Sequence, residues 1–262
     1  MLTRTRTIIT CAAAATVAAL AASIAAPALA TARPSPSDVT GPGGGLRLTH
    51  QAIGRITSAP ISNRDFAGYQ ATVRTGSATV SAASFTVPKL SCTAKNRAIA
   101  PSAAVWVNNY KTLSAAFVFT GCVNGRARYF PGLVSNGREF DHTTTPFAAG
   151  DVIDLTTKVS TAGTKIIVTD VTTGVKVQHL GRGASAKAAF IGDVSWANRN
   201  GARQGVPNFG RLRFTGCLID GKSLGSRHPR KYQRVNGSGT VEISTGGLWP
   251  GGTAFTTHYQ NS

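Results

Sequence analysis

Acid–base chemistry needs well-placed carboxylates, and this sequence has few. Its two glutamates are Glu139 and Glu242. The segment Arg138-Glu139-Phe140-Asp141-His142 places two carboxylates and a histidine on one predicted loop. Such a trio would bind a cation or act as an acid and base pair. A solvated loop accounts for the same residues without any function, because no third ligand partner stands nearby. Asp193 is the other acid of interest. In a Gly-Asp pair it either lends an acid to a groove or caps a turn.

Other chemistries lack their signatures. There is no Gly-x-Ser-x-Gly elbow, no His-Glu-x-x-His, no Walker loop and no dinucleotide fingerprint after a strand. Cys and His residues have no zinc spacing, so neither a metal nor a cofactor is expected. The stretch WVNNYKTLSAAFVFTGC (106–122) outlines a strand, a turn and a second strand ending in a cysteine. Trp106 with the amides of Asn108 and Asn109 beside it would suit hydrogen bonding to a peptide or a sugar. Trp196 either lines a groove or covers a sheet edge.

The elements around these residues read as strands. In DVIDLTTKVS, Ile153, Leu155 and Val159 fall on one face, with Asp154, Thr156 and Lys158 on the other. Leu212 and Phe214 alternate with Arg211 and Arg213, and KIIVTDVTTGVKVQHL reads as a hairpin around Thr-Thr-Gly. Helical periodicity is nearly absent. Residues 62–225 therefore predict one antiparallel sandwich or barrel, long enough to bury a sizeable core. Residues 31–61 are rich in Pro, Gly and Ser and read as a linker or propeptide. Residues 226–262, beginning with the basic SRHPRKYQR, read as a loosely packed extension with one edge strand.

The first thirty residues predict a cleaved signal peptide. Arg4 and Arg6 precede an Ala-rich apolar run, and Ala28-Leu29-Ala30 supplies the cleavage site. The mature chain is expected outside the cell, without a membrane anchor and as a monomer. Export leaves Cys92, Cys122 and Cys217, which predict one disulfide and one odd thiol; Cys92–Cys122 is the favoured pair. Lys and Arg total 28 against 10 acidic residues. That excess favours non-specific adhesion to anionic wall polymers. No nucleic-acid-binding signature accompanies it, so nucleic acid is not an expected partner.

An ordered set of phrases carries a family resemblance. FAGYQATV (66–73) is followed by ASFTVPKLSC (83–92), AVWVNNY (104–110) and FVFTGC (117–122). PFAAGDVIDLTTKVSTAG (146–163), AAFIGDVSW (188–196) and PNFGRLRFTGCLIDGKSLG (207–225) come later. The order resembles the glutamic peptidases, or eqolisins, across residues 62–225. The resemblance implies a lectin-like (concanavalin A-type) antiparallel sandwich of two curved sheets with a substrate groove on the concave face. It also implies a glutamate that acts as general base and acid, and a glutamine that stabilises the oxyanion.

Matched residue by residue, the glutamine falls on Phe119 and the glutamate on Ala189. Both expected dyad positions are apolar. Phe66, Phe85 and Phe190 stand at three of the family's tryptophan positions, while Trp106 is retained. Losing a positioned base costs about 10²–10⁴-fold, and losing an oxyanion donor about 10²–10³-fold. The expectation is a degenerate member that binds an extended peptide or polysaccharide along Trp106, Asn108, Asn109, Phe119, Phe190 and Trp196. The alternative is a working acid-pH endopeptidase or other hydrolase whose acid has moved to Asp193, Glu139 or Asp141.

Overall fold

A computed structural model describes residues 44–47, 59–198 and 202–260. The expected signal peptide and most of the 31–61 linker lie outside the described residues. In chain order the strands are β1 (Gly44–Arg47), β2 (Ile61–Asn63), β3 (Phe66–Thr72), β4 (Thr79–Thr86), β5 (Arg97–Val107) and β6 (Thr112–Val123). They continue as β7 (Arg126–Ser135), β8 (Arg138–Asp141), β9 (Val152–Val159), β10 (Thr164–Asp170), β11 (Lys176–Gly181) and β12 (Ala186–Asn198). The last are β13 (Arg211–Ile219), β14 (Lys222–Ser223), β15 (Arg230–Val235), β16 (Val241–Thr245) and β17 (Phe255–Tyr259), with one 3₁₀ turn at Leu224–Arg227.

Pairing arranges them in two layers. The first runs β15–β3–β12–β5–β6–β7–β8, all antiparallel, with β2 added parallel to β15. The second runs β16–β17–β13–β4–β9–β10–β11. The β15–β16 pairing joins the layers at one end. Of the sandwich or barrel that the strand pattern left open, the structure is the antiparallel sandwich that the family resemblance implied.

Period-two patterning builds the second layer. Along β9, Ile153, Leu155, Thr157 and Val159 are buried while Val152, Asp154 and Lys158 are exposed. Leu212 and Phe214 of β13 point inward between exposed arginines. The predicted hairpin is β10–β11, and its turn is held by Asp170, which accepts from the Thr172 and Thr173 amides.

Central strands of the first layer instead are buried on both faces; from Ala98 to Val107 every residue of β5 is buried. Their inner face packs on the second layer in a core that includes Ile99, Val105, Ile191, Ile153, Leu155 and Phe214. Two hydroxyls tie the layers through backbone groups. Thr157 Oγ1 donates to the Ala103 carbonyl at 2.8 Å and accepts from the Ala116 amide at 2.8 Å. Ser81 Oγ donates to the Phe190 carbonyl at 3.1 Å.

Two expectations need correction. The chain beyond Gly225 is not a loose extension, because β15–β17 pair with strands of both layers and bury Tyr232, Ile243 and Phe255. The expected 138–142 loop is largely strand β8, hydrogen-bonded to β7. Cys92 and Cys122 form the favoured disulfide, and Cys217 is free and buried.

Candidate functional site

Strand register fixes what the outer face of the first layer presents. One row across it reads Arg230, Gln70, Phe190, Ala104, Ala115, Val134 and Glu139, from β15 to β8. Partners in such a row share a face, since side chains alternate strictly along a strand. The neighbouring row reads Tyr232, Gly68, Gly192, Ser102, Phe117 and Gly132. Phe66, Phe190, Phe117, Phe119, Phe130, Trp106, Trp196 and Tyr232 form one aromatic cluster on this face.

Small residues make room for the rings. Ala98, Ala100, Ala104, Ala115 and Ala188 interleave with them. A Cβ on Gly132 would lie 2.1 Å from the Phe117 ring, and one on Gly121 would lie 2.6 Å from the Phe119 ring. Phe119 stacks on Phe130 at 4.5 Å and meets Trp196 edge-on at 4.9 Å. Phe66 contacts Phe190 at 5.5 Å and Tyr232 at 4.5 Å. The rings are closed in: Trp196 is 0% exposed, Phe119 1% and Trp106 4%.

The expected groove residues thus divide. Trp106, Phe119, Phe190 and Trp196 come together, but as a packed cluster and not as the walls of an open channel. Asn108 and Asn109 occupy the β5–β6 turn with positive φ, a conformation asparagine tolerates, and both are exposed. Tyr110 completes this turn and its ring contacts Trp106 at 6.3 Å.

The two expected dyad positions do not share a face. Phe119 lies in the outer cluster, whereas Ala189 points into the core between the layers. One residue of offset along a strand changes the face, and the outward neighbour of Ala189 is Phe190. Neither position carries a proton-transferring group.

Neither Asp193 nor Glu139 stands where it could partner a glutamine on the outer face. Asp193 lies on the same inner face as Ala189 and Ile191, fully buried. Its carboxyl is pushed up to about 7 by burial, against the smaller opposing pull of the Thr257 hydroxyl and the Arg234 charge. It neither caps a turn nor reaches the aromatic face. Glu139 does share the outer row with Gln70, the one glutamine there, but five strand spacings separate them. At about 4.8 Å per strand that is about 24 Å, far beyond the reach of a dyad. Asp141 sits two residues along β8, opposite Gly132. Around Glu139, Arg138 lies over Phe140, which stacks on His179 at 4.1 Å. His142 and His179 are both held below the usual imidazole range, first by burial. Among the described residues no group of three His, Cys, Asp or Glu could hold a metal.

Sequence reasoning missed the polar end of this face. Arg230, Tyr232, Gln70 and Tyr110 gather beside the rings, with the Arg230 charge acting on both Tyr232 and Tyr110. Arg230 Nη1 and Trp196 Nε1 are buried donors without an acceptor among the described residues. The signal was present: Phe66, Gly68 and Gln70 alternate on one face of β3, as Arg230 and Tyr232 do on β15.

The family model of the peptidase A4 family matches residues 64–249. Among solved structures, scytalido-glutamic peptidase with a transition-state analog inhibitor superposes with a TM-score of 0.62 at 16% identity, covering 75% of this chain and 98% of that one. SCP-B, a member of the eqolisin family in complex with the tripeptide Ala-Ile-His, gives 0.57 at 17% identity, covering 75% and 98%. Aspergilloglutamic peptidase from Aspergillus niger gives 0.52 at 17% identity, covering 63% and 99%. No curated protein sequence matches the chain.

Proposed function

The chain belongs to the peptidase A4 family, and from that premise we propose that it is an exported eqolisin-fold protein that binds an extended peptide without cleaving it. The observation carrying this reading is the composition of the outer face. Phe190, Ala104 and Ala115 occupy its central row, and Phe119 fills the adjoining space with a stacked ring. Hydrolysis of an amide needs a base for water and a donor for the oxyanion. Apolar rings supply neither.

The same face keeps groups that suit binding. These lie at its polar end, where Arg230 and Tyr110 are partly exposed beside the exposed Asn108 and Asn109 and where Arg230 Nη1 has no acceptor among the described residues. Peptide carbonyls are acceptors of the right kind. In SCP-B a tripeptide is bound on this fold, which supports a peptide before a polysaccharide. The relocated-acid alternative gains no support, since Asp193 faces inward and Glu139 stands at the far end of the row. Export is supported by the Cys92–Cys122 disulfide, which suits an oxidising compartment. Among the described residues no helix is long and apolar enough to cross a membrane.

The test is a titration of the mature chain with unstructured hexapeptides and, separately, neutral oligosaccharides, followed by tryptophan emission. Peptide binding that weakens about tenfold or more in Arg230→Ala fits the loss of a charge-assisted hydrogen bond. No response to any peptide would refute the reading, and a response to oligosaccharides alone would replace its ligand.

A further inference from the structure

A second concave site, lined by none of the residues of the aromatic cluster, lies where β15 gives way to β16. It has two lobes. One, of about 250 Å³, is lined by Arg64, Arg203, Arg234 and Glu242 together with backbone at Gly237. The other, of about 210 Å³, is lined by Lys95, Asn96, Arg97, Tyr259 and Glu242. Gly205 and Glu242 border both lobes, so the two form one depression.

Its charge is lopsided. Five basic side chains line the lobes against one lining carboxylate, Glu242. Asp65 lies beneath, fully buried and bonded to Arg203 Nε at 2.5 Å. Arg234 is 2% exposed. Its Nε donates to Glu242 Oε2 at 3.1 Å and its Nη2 to the Gln204 carbonyl at 2.9 Å, while Nη1 has no acceptor among the described residues. A buried guanidinium with an unused donor is costly, so its retention asks for a partner. Arg64 gives Nη2 to the Gly237 carbonyl at 2.8 Å, and Arg97 gives Nη1 to the Val206 carbonyl at 3.1 Å. A guanidinium carries five N–H donors, so both keep most of theirs in reserve.

The remaining lining is suited to a polyhydroxylated body. Glu242 accepts from hydroxyls, Asn96 both donates and accepts, and Tyr259 offers a partly exposed ring. We propose that this depression binds an acidic sugar, with its anionic group on the arginines and its hydroxyls on Glu242 and Asn96. Carboxylate and phosphate share the chemistry that planar guanidinium groups recognise.

Calorimetric titration of the mature chain with trigalacturonate, glucose 6-phosphate and maltotriose tests this. At least one acidic probe should bind, maltotriose should not, and added salt should weaken the binding. The tighter acidic probe identifies the anionic group; equal binding of both supports the shared chemistry. Arg64→Ala with Arg97→Ala changes two solvent-accessible side chains and should weaken affinity by about tenfold or more. Arg230→Ala, four residues from Arg234 along β15 and outside the lining of both lobes, should leave it unchanged, which separates this site from the proposed peptide site. Failure of both acidic probes, equal binding of maltotriose, or indifference to the double substitution would overturn the proposal.

Discussion

Phe119 lies against Phe130 with ring centroids 4.5 Å apart and planes 8° from parallel. This stack stands where the family resemblance leads one to expect a glutamine amide. It is held by packing on three sides: Phe130 on one face, Trp196 at the edge and Gly121 beneath. The ring has become structural. Phe119→Ala should cost about 3–5 kcal/mol, the usual cost of emptying a buried phenylalanine site. Chemical denaturation reads the loss; a cost within 1 kcal/mol would mean that the ring is not tightly packed.

Gly132 is required by its neighbour across the β6–β7 pair. Phe117 lies over it so closely that any Cβ would overlap the ring. Gly132→Ala should destabilise by about 1–3 kcal/mol through overpacking. Adding Phe117→Leu should recover part of that loss, because the two changes share one contact. Strictly additive effects in a double-mutant cycle would contradict the contact.

Asp193 gives the fold a specific pH dependence. Burial raises its folded pKa to about 7, while an unfolded aspartate titrates near 3.9. Between about pH 4 and pH 7 the folded chain holds a proton that the unfolded chain has released. Stability contributed by this group therefore falls as the pH rises through that window. Asp193→Asn should raise the melting temperature little at pH 4 and progressively more toward pH 7. A constant difference across the range would show that Asp193 keeps an ordinary pKa.

Cysteine chemistry should divide cleanly. Cys92 and Cys122 close a loop with a sequence separation of 30, so removing the bridge should cost about 3–4 kcal/mol. The Cys217 thiol, pushed up to about 12 by burial, should resist a thiol reagent in the folded chain and react only on unfolding. Rapid labelling of the native protein would place Cys217 at the surface.

Much of this architecture was legible in the sequence, and the reason is periodicity. Ile153, Leu155, Leu212 and Phe214 alternate with charged or polar residues because one side of the second layer meets water. The disulfide was legible from cysteine arithmetic. The C-terminal strands were not, since RKYQRV reads as a charged tail until its pairing with β3 and β2 buries Tyr232 and Arg234. The site was only half legible. Phrase order brought Trp106, Phe119, Phe190 and Trp196 together, yet phrases do not fix a strand's face, and one residue separates inward Ala189 from outward Phe190. The polar end at Arg230 and Gln70 depends on pairing between strands 160 residues apart, which local pattern does not encode.

The central claim is that the eqolisin fold is kept here without its hydrolysis. The most direct measurement incubates the purified mature chain with a mixed peptide library from pH 2 to pH 8 and reads cleavage by mass spectrometry. No cleavage above the uncatalysed background is expected at any pH, since neither a base nor an oxyanion donor stands at the centre of the face. Cleavage that disappears in Glu139→Gln or Asp193→Asn would contradict that claim and identify a working acid.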